Sequence, residues 1–140
     1  MPVSQSVIEA VQQSYDRCLS NIIDGKGFLE AFYDTFFSSD PAIRPMFDRT
    51  DMQKQAGLLK HGLNMLILYS SGWPSAKTAM EKIAFTHNHE HYNVRPEMYD
   101  LWARSLMSCV RKYDRDFTPA LALQWEATIN PGIAMMKENY

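Results

Sequence analysis

Apolar residues recur along this chain at steps of three and four, and nowhere in sustained alternation. Starting at Ser6, the positions Val7, Ile8, Val11, Tyr15, Cys18, Leu19 and Ile22 keep that spacing and predict an amphipathic first helix. Glu9, three residues after Ser6, completes a capping-box pattern. Gly25 and Gly27 interrupt the run. A second helix is expected from about Phe28 to Ser38, with Phe28, Leu29, Phe32, Tyr33, Phe36 and Phe37 crowding one side. Ser39-Asp40-Pro41 stops it and opens a short helix with proline in its first turn, carrying Ile43, Met46 and Phe47. Asp48 to Asp51 read as a polar corner.

A third long helix is expected from about Met52 to Tyr69, followed by a loop from Ser70 to Ser75 rich in small and turn-forming residues. Ser75 is a candidate cap for the next helix, which carries Ala79, Met80, Ile83, Ala84 and His87. After a loop, Pro96 opens a helix whose stripe is Met98, Leu101, Trp102, Ser105, Leu106, Cys109, Val110 and Tyr113. Asp114-Arg115-Asp116 ends it. Thr118-Pro119 caps and opens the last helix, to about Lys137, with Pro131-Gly132 inside it as an expected kink or break. The pattern predicts an all-α fold of about seven helices around one core, without internal repeats.

Composition narrows the function more than the fold. The 140 residues suit one domain, residues 1–140, large enough to bury a core without staples. Hydrophobic residues make up 46% and charged residues 21%, which excludes a disordered or low-complexity chain. With 14 basic against 16 acidic residues and no Lys/Arg cluster, nothing points to nucleic acid. Cys18 and Cys109, far apart, are expected to be reduced and buried rather than a disulfide framework. The longest apolar run, Met65 to Tyr69, is far below the roughly 20 residues that cross a bilayer. The N-terminus lacks a signal-peptide pattern, so the expectation is a soluble cytoplasmic protein.

Histidine is the concentrated chemical signal. Three of the four histidines are His87, His89 and His91. Read blandly, they are exposed residues at a helix end, favoured there by the dipole. Read chemically, neutral imidazole is a ligand for iron or zinc, and His87 and His91 share a face if the helix continues. A non-haem metal-dependent enzyme built on these three is therefore one hypothesis, although no carboxylate stands in a His-Glu-x-x-His arrangement to serve as its base. Glycine-rich phosphate loops, nucleophile elbows and Cys-x-x-Cys pairs are absent from the sequence.

Three stretches taken in order carry a resemblance. Phe32-Tyr33-Asp34-Thr35-Phe36-Phe37 with Asp40-Pro41 and Met46-Phe47, then Glu81-Lys82-Ile83-Ala84-Phe85-Thr86-His87, then Arg95-Pro96-Glu97-Met98-Tyr99, resemble the globin family. Within it the chain looks like bacterial single-domain haemoglobins and the globin domain of flavohaemoglobins, over nearly its whole length. The resemblance implies a globin fold around haem b (iron protoporphyrin IX). It implies His87 as the iron ligand and Phe47 as the aromatic stacked on the porphyrin. Tyr33 and Gln55 match the hydrogen-bonding pair on the gas side, Leu59 the residue limiting that pocket, and Tyr99 the tyrosine beside the ligating histidine. Taken singly, each has a plainer reading: Phe47, Leu59 and Tyr33 as core residues, Gln55 as a solvated one.

His89 competes with His87. Counting back from Pro96, the family's spacing falls on His89; counting from the Glu81-Lys82-Ile83-Ala84 segment, or forward from Gln55, it falls on His87. Choosing His87 requires two extra residues in the loop to Pro96, which a loop absorbs more readily than a helix absorbs a change of register. The family's carboxylate against the ligating histidine has no clear counterpart; Glu138 is near but out of register. The resemblance further implies O2, NO or CO as small ligands, with gas binding, NO dioxygenation or sensing as the role. The chain ends at Tyr140, where flavohaemoglobins continue into a reductase, so an external reductase is the expected electron source. A monomer or homodimer is expected. A haem-free globin-fold interaction module is the third hypothesis.

Overall fold

The computed structural model describes residues 2–140. Six α-helices and one 3-10 helix account for the seven expected elements: α1 (Gln5–Leu19), α2 (Phe28–Ser39), the 3-10 helix Arg44–Phe47, α3 (Met52–Tyr69), α4 (Pro74–His87), α5 (Pro96–Tyr113) and α6 (Pro119–Glu138). A two-stranded hairpin, β1 (Ile22–Ile23) and β2 (Lys26–Gly27), sits between α1 and α2. No helix among the described residues is long and apolar enough to cross a membrane.

The element boundaries correct the sequence reading in four places. Helix α1 is capped by Ser4, whose Oγ accepts from Val7 N–H at 3.4 Å, not by Ser6. It also ends at Leu19, so Ile22 is not on its stripe but 70% exposed in the hairpin. The cause is Asp24-Gly25: both residues adopt positive φ, 52° and 78°, as a tight two-residue hairpin turn needs. Helix α4 begins at Pro74 with Trp73 as its cap residue, placing Ser75 inside the first turn. Helix α6 runs unbroken through Pro131. Pro131 is exposed, and the carbonyl it deprives of a partner, four residues back, belongs to exposed Ala127, within reach of solvent. Gly132 beside it is buried, and an added Cβ would lie 2.1 Å from Leu66 Cδ1. The small residue lets α6 cross α3 at close range.

Helix α2 packs on α5, α3 on α4, and α1 on α6, with α6 also reaching α3 and α5. Trp125, Tyr113, Phe28 and Phe32 are the largest fully buried side chains. Tyr15 meets Phe28 and Trp125 edge-on, each at 6.3 Å between ring centroids, and Phe28 meets Tyr113 at 5.8 Å. A buried polar network closes the far end of the bundle. Ser14 Oγ donates to Asp114 Oδ2 at 2.6 Å, and Trp125 Nε1 donates to Ser14 Oγ at 2.9 Å. Arg17 donates to both Asp114 oxygens at 2.6 and 3.0 Å. Each member has a partner, the condition under which buried polar groups stabilise rather than cost. Cys18 and Cys109 are buried free thiols, as expected, and burial pushes both above the ordinary thiol range, Cys18 to about 12.

Candidate functional site

Helix α4 rests on α3 and α6 without comparable contact to α2 or α5. That arrangement leaves apolar side chains of several elements only partly covered: Phe47 of the 3-10 helix, Leu59 of α3 and Ile83 of α4 are half-buried against the core edge. Phe47, Gln55, Leu59 and His87 of the sequence-predicted site lie on these elements, Tyr33 on α2 and Tyr99 on α5.

Tyr33 is on α2, buried at 6% exposure. The α3 residue Gln55 reaches it, Nε2 donating to the Tyr33 hydroxyl at 3.0 Å. Asp51 makes that reach possible: its carboxylate caps α3 by accepting from Gln53 and Lys54 amides, so Gln55 begins in the first full turn. Burial pushes the Tyr33 phenol up to about 12, and the Gln55 donor pulls only part of the way back. The phenol therefore keeps its proton at neutral pH. Because Gln55 donates to the phenol oxygen, the phenol's own O–H remains available to a further acceptor. Phe47 packs on the same tyrosine, ring centroids 5.8 Å apart, and on Phe37 at 5.2 Å. Sequence reasoning did not single out Phe32 and Trp102 for the site. Phe32 is fully buried and meets Tyr33 edge-on at 5.2 Å and Trp102 edge-on at 5.7 Å, fixing the tyrosine from behind. Helical spacing alone marks these two as core.

His87 is the last residue of α4. Thr86 Oγ1 donates to the Ile83 carbonyl at 2.9 Å and lies 3.0 Å from His87 Nδ1. A hydroxyl has one proton, and this one is spent on Ile83, so Thr86 accepts from His87 Nδ1–H. The hydrogen-bond network thus assigns the proton to Nδ1 and leaves the Nε2 lone pair bare. Desolvation lowers the His87 pKa below the ordinary imidazole value, partly opposed by its bond to the Ile83 backbone. The ring is neutral at pH 7, with one nitrogen anchored and the other free. Thr86 was missed from the sequence; its position one turn after Ile83 is the only signal. The anchors are a hydroxyl and a carbonyl, neither of them a carboxylate, and exposed Glu138 takes no part.

Tyr99, on α5, is buried and its phenol is pushed up to about 12 by that burial. It stands apart from the hydrogen bonds of the His87 ring, which run to Thr86 and Ile83.

The three-histidine metal site does not assemble. The ring of His89 bonds the main-chain oxygen of Tyr140. His91 Nδ1 bonds Asn88 Oδ1 at 2.7 Å, and its ring lies 4.4 Å from that of Phe85. Helix α4 stops at His87, so the shared face expected for His87 and His91 never forms, and each imidazole has a different partner. Among the described residues, no three His, Cys, Asp or Glu side chains converge to hold an ion.

No family model matches the chain. It is 26% identical over 106 residues to a flavohemoprotein of Vibrio cholerae, a match covering 74% of this chain but only 26% of that protein's length. A crystal structure of a Pseudomonas aeruginosa protein described as structurally highly homologous to a human haemoglobin superposes with a TM-score of 0.87. It shares 34% sequence identity, over 96% of this chain and 98% of that one.

Proposed function

The chain belongs to the globin family, resembling its bacterial single-domain haemoglobins, and from that premise we propose that it binds haem b and, through it, a diatomic gas. The observation that carries the reading is His87: a neutral imidazole at the end of α4, bonded through Nδ1 to Thr86, with Nε2 lacking a hydrogen-bond partner among the described residues, one turn after half-buried Ile83. Such a donor fits a cofactor that offers one metal position and a flat apolar face. Phe47 and Leu59 would pack on that face, and His87 would hold its iron. When bound, haem supplies an iron with one position open to O2, NO or CO.

On the gas side, the chain's own residues would supply an apolar lining and, in the Tyr33 hydroxyl, a hydrogen-bond donor. Phe47 and Leu59 would shield it from water. The Tyr33 O–H stays protonated and points its hydrogen away from Gln55, toward whatever occupies the pocket. A donor in a low-dielectric site strengthens retention of a polar gas ligand. Firm retention suits NO dioxygenation or gas sensing better than rapid delivery of O2. Turnover would draw electrons from a reductase outside these 140 residues.

Titrating the purified chain with haemin tests the reading. One equivalent taken up with a sharp Soret band, and a ferrous form that binds CO, supports it. A chain that takes up no haemin overturns it and leaves the haem-free interaction module.

A further inference from the structure

Eight residues, 88–95, join α4 to α5. A surface connection of that length moves freely unless something ties it down. Its inner side is tied to the end of α4: Val94 N–H donates to the His87 carbonyl at 2.9 Å, and Tyr92 N–H to the Thr86 carbonyl at 3.0 Å. Asn93, between them, sits at φ 52°, a left-handed conformation that asparagine tolerates better than most residues. Two loop amides thus fix where the main chain of Thr86 and His87 ends.

The outer side of the same loop is tied to the end of α6. The Tyr140 main-chain oxygen accepts from the His89 amide at 2.8 Å and also bonds the His89 ring. The Tyr140 hydroxyl donates to Asn93 Oδ1. The rings of His89 and Tyr140 meet at 5.7 Å, tilted 61°. One residue therefore grips the loop at both arms, and the arm gripped at Asn93 adjoins the amide that holds His87.

We propose that Tyr140 is a positioning residue for His87: it latches the α4–α5 loop and thereby sets the orientation of the imidazole and how tightly the cofactor is kept. This rests on His87 being the iron ligand, as read above. His89, the competing histidine of the sequence, is here part of the latch. Helix α6 is independently pinned to α5 nearby by the Lys137–Asp100 ion pair at 2.7 Å, which supplies a control.

Tyr140→Phe removes the bond to Asn93 and keeps the main-chain grip; removing Tyr140 altogether abolishes both. Three readouts follow: hydrogen exchange at the Tyr92 and Val94 amides in the haem-free chain, haemin transfer to excess apomyoglobin, and the iron–imidazole stretch of the ferrous protein by resonance Raman. Tyr140→Phe should speed exchange and haemin loss about three- to tenfold, the effect of one neutral hydrogen bond. Removing Tyr140 should exceed that, both variants should shift the stretch, and Lys137→Ala should move none of the three. Unchanged exchange and an unshifted stretch in both Tyr140 variants overturn the proposal. Faster exchange with an unshifted stretch overturns the positioning role. If His87→Ala itself keeps the wild-type stretch, it is the assignment of His87 that has failed.

Discussion

Replacing Tyr33 with phenylalanine removes one hydroxyl from a buried position and adds no bulk. O2 takes on partial negative charge on binding, so the lost bond is charge-assisted, worth about 1.5–3 kcal/mol, and O2 should dissociate roughly ten- to hundredfold faster. The structure sets the size of the second effect. Gln55 commits one of its two Nε2 hydrogens to the Tyr33 oxygen at 3.0 Å, so its expected part is to orient the phenol, with the phenol as the principal donor to the gas. Gln55→Leu should therefore cost less, of the order of a twofold to fivefold increase, and the double variant should match Tyr33→Phe within about twofold. Stopped-flow displacement of O2 by CO measures the rates, and CO dissociation, with little charge to stabilise, serves as the control. Two results would refute the reasoning. If Tyr33→Phe leaves O2 dissociation within twofold of wild type, the phenol does not face the ligand. If the two single effects multiply in the double variant, Gln55 donates to the gas on its own account.

Two stability predictions follow from the bundle. Burial pushes the Asp114 carboxyl up, but the bonds from Arg17, Ser14 and the Asp116 amide outweigh it and hold it below the ordinary range. The unfolded value is about 3.9, so the stabilisation is present above about pH 4 and is lost as pH falls through the lower folded value. Asp114→Asn should lose about 1–3 kcal/mol at pH 7 and flatten the acid limb of a thermal-melt profile; a variant as acid-sensitive as wild type would show that other carboxylates dominate. Gly132→Ala gains up to about 1 kcal/mol of helix propensity but drives a Cβ against Leu66 Cδ1, a clash costing about 1–3 kcal/mol, so the melting temperature should fall. A rise would mean Leu66 swings clear.

The helical stripes were legible because burial imposes their period, and the prolines at positions 74, 96 and 119 each open a helix as their fixed φ demands. The errors came where two local signals competed. Ser4 and Ser6 are both plausible caps; Ser4 prevails where the Val3 amide is tied to the Ser70 carbonyl, a contact no local pattern contains. Asp24-Gly25 was a readable turn signal, but the apolar spacing through Ile22 pointed the other way. Pro131 lies on the exposed face of α6, where the unpartnered Ala127 carbonyl is open to solvent, and the helix continues through it. At the site, types and order of residues were legible; the pairing of Tyr33 with Gln55 was expected, whereas the direction of the bond between them was not. The choice between His87 and His89 could not be made by counting, since two counts disagreed. The structure gives the two rings different partners: the neighbouring Thr86 at His87, and Tyr140, 51 residues on, at His89. The Ser14–Asp114–Trp125 network likewise joins residues about a hundred positions apart and has no local signature.

The most direct test of the central claim is the ferrous absorption and resonance Raman spectrum of His87→Ala and His89→Ala loaded with haemin, with and without added imidazole. The account predicts that His87→Ala loses the protein-derived iron–imidazole stretch and regains one when free imidazole enters the vacated space, while His89→Ala keeps its five-coordinate signature. The reverse pattern, with the signature lost in His89→Ala and intact in His87→Ala, would contradict it.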